Sequence, residues 1–274
     1  MIIRPFDPWK SELCTCPEKY SLNPYTGCDH RCVYCYITSY IRDAFSCRPK
    51  QDLIKKVKGE LKRIDRCKVI SLSNSSDPYP QLEREMELTR GVLQLLSEHE
   101  VKVQVVTKSD IVGRDIDVLQ GMRCCVSMTV TTMNESVARR LEPGAPPPGR
   151  RVEALKNVKE AGIPVSVRID PIIPGLTDPV EVFQEVRFVD HITASTVKLR
   201  PDAFRRMQRV FPEIMKELNP LFIERRGNAL YLDKRVRLKE LNVLRDLCRE
   251  YDISFGVCRE GLENEKSCDG THLI

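Results

Sequence analysis

Residues 68–106 read KVISLSNSSDPYPQLEREMELTRGVLQLLSEHEVKVQVV. An apolar, β-branched run at Lys68–Ser73 is followed by a polar stretch. Then come Leu82–Glu98, with Met86, Leu93 and Leu96 on one helical face, and a second apolar run at Val101–Val106. Two short buried-type strands joined through an amphipathic helix are the unit from which parallel sheets are built. The alternation continues on both sides. Cys124–Val130, Pro164–Ile169, Ser195–Leu199 and Ile253–Val257 read as strands, and Lys50–Ile64, Arg151–Ala161, Pro179–Val189, Asp202–Leu218 and Val236–Tyr251 as helices. Six such units predict an α/β fold, a partial (β/α)6-type TIM-like barrel in preference to an open doubly wound sheet. A chain of 274 residues is a normal length for one such core.

Barrel enzymes carry their chemistry at the C-terminal ends of the strands. Polar residues gather at those ends here: Asn74, Ser75, Ser76 and Asp77, then Thr107, Lys108 and Ser109, then Thr129, Thr131 and Thr132, then Arg168 and Asp170. The segment Glu142–Gly149 (EPGAPPPG) reads as a rigid loop at one end of the barrel.

Composition narrows the function classes. The chain is 41% hydrophobic and 30% charged, and no apolar run approaches the ~18 residues that span a bilayer. A cytoplasmic protein without membrane contact is expected. Twelve cysteines without an apolar leader favour metal or redox chemistry over a disulfide framework. The formal charge of +5 is uneven: residues 198–240 hold twelve Lys/Arg against six Asp/Glu. A local positive field of this kind suits DNA or RNA, and equally an ordinary solvated face.

Three of the cysteines stand in the stretch NPYTGCDHRCVYCY at 23–36, where Cys28, Cys32 and Cys35 have the spacing C-x3-C-x2-C. Three thiolates in one short loop can hold three irons of a [4Fe–4S] cluster and leave the fourth open to a small molecule. A zinc site completed by His30 or a distant cysteine is the rival, although no second C-x2-C knuckle follows.

With a barrel behind it, this loop resembles that of the radical S-adenosylmethionine enzymes, and the wider pattern is similar to their spore photoproduct lyase-like branch. The matching stretches are residues 23–36, SNSSDPY at 73–79 with ELTRGVL at 87–93, VVTKSDIVGRDIDVL at 105–119, RRLEPGAPPPGRRVEAL at 139–155 and PIIPGLTD at 171–178. The resemblance implies a barrel core over 20–200, flanked by an N-terminal extension, 1–19, and a C-terminal α/β extension, 201–274, that completes the barrel. It implies an enzyme that reductively cleaves S-adenosylmethionine to a 5′-deoxyadenosyl radical, which abstracts a substrate hydrogen, and a one-electron reductant protein as partner. Lys108 would pair with the S-adenosylmethionine carboxylate, with Ser109, Ser127, Thr129 and Asn74 as polar neighbours and Arg168 as an alternative cation. Tyr34 and Tyr36 match two tyrosines implicated in hydrogen-atom transfer. The lyases carry a hydrogen-donating cysteine three residues before the aspartate of their second motif. Here Asp77 is preceded at that distance by Asn74, so the cofactor chemistry carries over more readily than the substrate.

The remaining cysteines divide by position. Cys14 and Cys16, with Cys258 and Cys268 from the other end of the chain, form a candidate second metal site, an auxiliary iron–sulfur cluster or zinc. Cys67, Cys124, Cys125 and Cys248 read as packing residues. Cys47 is a candidate substitute hydrogen donor. Nucleic-acid modification or repair is the leading expectation. Modification of a protein or small metabolite is the alternative, and a zinc-stabilised nucleic-acid-binding protein is the reading from another class.

Overall fold

Period-two alternation in the strands decides where the core lies. A computed structural model describes residues 1–6, 12–73 and 75–274. Its main sheet runs, edge to edge, Arg4–Pro5, Tyr20–Leu22, Ile70–Leu72, Val103–Thr107, Cys124–Thr129, Val165–Ile172, His191–Thr196 and Ser254–Val257. The first pair is antiparallel and every other neighbour parallel, which gives a partial barrel. Among the described residues the two edge strands do not pair, so the barrel is open.

One face of each strand is apolar. Ile70, Leu72, Val103, Val105, Val126, Met128, Val165, Val167, Ile169, Ile192 and Ala194 pack in the main core, against residues of the Leu53–Glu60, Leu88–Glu98, Pro148–Glu160 and Lys234–Glu250 helices. Each fully buried Val, Leu or Ile of that layer contributes about 1.5–3 kcal/mol. The opposite face carries Ser71, Gln104, Cys125, Ser127, Ser166, Arg168, His191 and Thr193, whose registers set them side by side across the sheet. The barrel is therefore polar inside, with its apolar layer outside.

The sequence reading differs from this fold in specific places. Ser195–Leu199 is not one strand: His191–Thr196 belongs to the barrel, while Lys198–Leu199 joins Glu224–Arg226 and Ala229–Tyr231 in a small antiparallel sheet. The helix expected over 82–98 breaks at Glu87, whose φ of 47° is left-handed. The one expected over 202–218 breaks before Pro212, which cannot continue a helix but can begin one. A second apolar cluster joins these last helices to the cysteine loop, with Val33, Leu141, Ile173, Leu199, Met207, Met215 and Leu232 among its members. No helix of the described residues is long and apolar enough to cross a membrane.

Candidate active site

The cysteine loop leaves the Tyr20–Leu22 strand and lies over the C-terminal ends of the barrel strands. Gly27 allows the turn. Its φ is 81°, and a Cβ there would lie 2.2 Å from the Ser46 carbonyl oxygen. Cys28 N donates to Ala44 O at 2.8 Å and Cys35 N to Cys32 O at 3.1 Å. Val33 plugs the second apolar cluster. Arg206 holds the loop from outside, donating from Nε to Val33 O at 3.0 Å and from Nη2 to Cys35 O at 2.6 Å. Gly144 holds it from above: its N donates to His30 O at 2.9 Å.

A Cβ at Gly144 would lie 2.0 Å from Asp29 O, so the two backbones touch where no side chain fits. Gly144→Ala is expected to push the loop out of place, destabilising the fold by about 1–3 kcal/mol. It should also lower iron uptake on anaerobic reconstitution, which iron quantitation and denaturant unfolding would check. Normal iron content at unchanged stability would refute it.

The three thiols fit an iron–sulfur cluster. Cys28, Cys32 and Cys35 stand together in one short loop and can offer one thiolate to each of three irons. Burial pushes the thiols up, Cys32 to about 12, and the Lys108 ammonium pulls Cys32 and Cys35 back. Burial disfavours the thiolate form, so a bound cation is what would keep these groups deprotonated.

Two acidic residues organise the floor beneath the loop. Asp77 accepts from Thr107 Oγ1 at 2.6 Å, Lys108 N at 2.8 Å and Tyr79 N at 2.9 Å, and faces His30 Nδ1 at 3.4 Å. It ties the Ile70–Leu72 and Val103–Thr107 strand ends to the loop. Glu142, 2% exposed, accepts from Arg151 Nη1 at 2.5 Å, Thr131 Oγ1 at 2.7 Å and the Tyr34 hydroxyl, with Lys108 Nζ at 3.8 Å. Burial alone would raise its carboxyl, but Arg151 and Lys108 outweigh burial and hold it near about 2.

Lys108 thus stands between Glu142 and the ring of Tyr34, 5.6 Å from the ring centroid. Ser127 Oγ is buried on the inner face without a hydrogen-bond partner among the described residues, as are Ser166 Oγ and Thr193 Oγ1 beside it. Arg168 pairs with Asp170 at 2.7 Å and meets the Cys258 thiol. From Asp170 a chain of contacts runs through Ser195 and Lys198 to Glu260 and Arg237.

Other sequence candidates take different places. Ser109 Oγ caps the following 3-10 turn by accepting from Ile111 N, and Thr129 offers its carbonyl to Arg151. Tyr36 stacks on Tyr40 at the surface, 39% exposed. Cys47 is half-buried, with its thiol pushed up to about 12 by burial and by Asp29 and Asp77. Asn74 lies outside the described residues. Cys16 and Cys268 come together, with Cys14 on Cys16, whereas Cys258 stands with Arg168 instead. Sequence reasoning missed Glu142, Arg151 and Arg206. Their partners lie 9 to 171 residues away, with Glu142 inside a segment that reads only as a loop.

Residues 22–186 match the Radical SAM superfamily. An uncharacterized protein of Methanocaldococcus jannaschii is 31% identical over 187 residues, covering 62% of this chain and 66% of its own. One from Acidianus two-tailed virus is 30% identical over 175 residues, 57% of each chain. One from Mycobacterium tuberculosis is 25% identical over 177, covering 59% and 52%. The matches thus span from 52% to 66% of the length of these curated relatives. Among solved structures, a spore photoproduct lyase variant with bound AdoMet and dinucleoside spore photoproduct superposes with a TM-score of 0.64 at 19% identity, covering 89% of this chain and 76% of that one. Streptococcus suis SuiB bound to S-adenosylmethionine gives 0.55 at 12% identity, over 87% and 49%. At these identities the likeness is one of fold.

Proposed function

Because this chain belongs to the radical SAM superfamily, we propose that it binds a [4Fe–4S] cluster through Cys28, Cys32 and Cys35 and reductively cleaves S-adenosylmethionine. A cluster held there would supply one-electron chemistry, passing on an electron received from an external reductant so that S-adenosylmethionine could be cleaved and a substrate hydrogen atom abstracted. The protein's own residues bind and orient. Lys108 would meet the carboxylate of S-adenosylmethionine; its nearness to Glu142 and the Tyr34 ring, which favour its charged form, supports that reading. The observation that carries the reading is the pair of buried, unpartnered hydroxyls at Ser127 and Thr193 on the inner face of the barrel, with Arg168 in register beside Thr193. Buried polar atoms without partners are uncommon, and they fit a site that a polar ligand completes. Tyr34, Tyr36 and Cys47 remain the candidates for hydrogen-atom transfer. Of these, Tyr34 is the one with its hydroxyl committed to Glu142 beneath the loop.

Nucleic acid is the substrate class we favour. The solved relative with a bound dinucleoside photoproduct supports it, as do the cations of 198–240 that remain exposed, including Arg205, Arg209, Lys216, Arg225, Lys234 and Arg235. Lys198, Arg206 and Arg237 are instead spent inside the fold. The test is anaerobic turnover of reconstituted protein with dithionite, S-adenosylmethionine and deuterated DNA, RNA or metabolite pools. 5′-Deoxyadenosine should form, and deuterium should enter it from a nucleic-acid pool. Iron-loaded protein that yields no 5′-deoxyadenosine would overturn the enzyme reading; deuterium from the metabolite pool alone would overturn the substrate.

A further inference from the structure

The tail after the last strand crosses the N-terminal mouth of the barrel. The Asp269 carbonyl accepts from Gln104 Nε2 at 2.6 Å, and the Gly270 carbonyl lies 3.8 Å from Cys125 Sγ. Gly270 also packs so tightly on Ser166 and His191 that a Cβ would lie 3.3 Å from each. Where the tail enters this crossing it meets the segment that links Arg4–Pro5 to Tyr20–Leu22. Thr15 Oγ1 accepts from Asn264 Nδ2 at 2.8 Å, and Cys16 Sγ stands 3.3 Å from Cys268 Sγ. One ligand atom each from Cys16, Cys268 and Asp269 lies within 4.8 Å of the others, and Cys14 hydrogen-bonds Cys16.

We propose that Cys16, Cys268 and Asp269, with Cys14 drawn in beside Cys16 as the fourth ligand, bind one zinc ion, which staples the two unpaired edges of the open barrel together. The spacing separates this site from the radical centre. Sulfurs 3.3 Å apart are close to the ~3.8 Å expected around one tetrahedral zinc, and too near for thiolates on different corners of a multi-iron cluster. Three thiolates and a carboxylate leave a site of net charge −2 once the ion is bound. The buried Lys19 ammonium, paired with Asp269 and beside both Cys16 and Cys268, offsets one of these charges, and Arg259, beside Cys14, the other. Lys19 also fixes the carboxylate, as groups behind metal ligands do. Cys16 and Cys268 are 252 residues apart, so the ion ties together nearly the whole length of the chain. The thiols lose their protons to solvent on binding, so affinity falls with acid.

The proposal stands independently of radical chemistry. Metal analysis of the anaerobically purified protein should find about one zinc per chain in the wild type and in a Cys28→Ala/Cys32→Ala/Cys35→Ala variant. Zinc should fall to background in Cys16→Ser and Cys268→Ser, with iron unchanged. Should those variants fail to fold, cobalt(II) titration of the wild-type protein should give an intense thiolate-to-cobalt charge-transfer band with tetrahedral d–d bands. Wild-type protein without zinc and without that band would overturn the site. Iron in excess of one cluster that is lost in Cys268→Ser, or a Cys16–Cys268 disulfide found by mass spectrometry in the anaerobic protein, would do so too.

Discussion

Cys32→Ala should leave the protein folded, empty of cluster iron and unable to form 5′-deoxyadenosine above background. Cys32 is 7% exposed and sits at the centre of the loop, with its carbonyl receiving the Cys35 amide. Removing a buried thiol here would take away one of the three ligands proposed for the cluster. The loop itself has independent anchors in Val33, Arg206 and Gly144, so its backbone should survive the change. Cys67, which is exposed and far from the loop in sequence, supplies the control: Cys67→Ala should keep full iron and activity. Anaerobic iron quantitation, circular dichroism and chromatography of reaction products decide the matter. Retention of a full iron complement in Cys32→Ala would remove this cysteine from the ligand set.

Glu142→Ala should lower stability by about 3–5 kcal/mol, the range seen when one member of a buried ion pair is removed. The carboxylate balances Arg151, 1% exposed, and Lys108, whose ion-pair partner among the described residues is Glu142. Without it two cations face each other beneath the cluster loop, and the Tyr34 hydroxyl and Thr131 lose their acceptor. The same group should make stability depend on pH. Its ordinary value of 4.5 is lowered to about 2 by the fold, so its contribution is complete above pH 4.5 and is lost as pH falls towards 2. A shift of that size corresponds to about 3 kcal/mol, as an order of magnitude. Denaturant unfolding from neutral pH down to pH 2 should therefore show wild type and Glu142→Gln converging through this window. Two curves that stay parallel would show that the fold does not hold the Glu142 carboxylate ionised below its ordinary range.

Much of the barrel is legible in the sequence because its outer layer is apolar. Lys68–Ser73 and Cys124–Val130 contain the strands that form, and Val101–Val106 and Pro164–Ile169 overlap strands that run on to Thr107 and Ile172, since Val, Ile, Leu and Met on alternate positions mark the core. Reading fails where that signal is thin. Tyr20–Leu22 is three residues long, and His191–Thr196 places His191, Thr193 and Ser195 on the inner face, leaving no continuous apolar run. The Glu135–Leu141 helix went unread although Asn134 caps it by accepting from Val137 N. In the site, the cysteine spacing is local and therefore readable. The roles of Glu142 and Arg206 arise from contacts that only the closed chain makes, with Tyr34 108 residues away and Cys35 171 residues away.

The division of each strand into an apolar outer side and a polar inner side separates two kinds of selection. Substitutions at Ser127 or Thr193 would alter what the barrel can hold while leaving untouched the layer of Val126, Val165, Val167 and Ile192 that keeps it folded. A scaffold arranged in this way can be redirected to new substrates through its inner face without repacking its outer core. Relatives with the same cysteine loop can then diverge in what they act upon long before they diverge in shape.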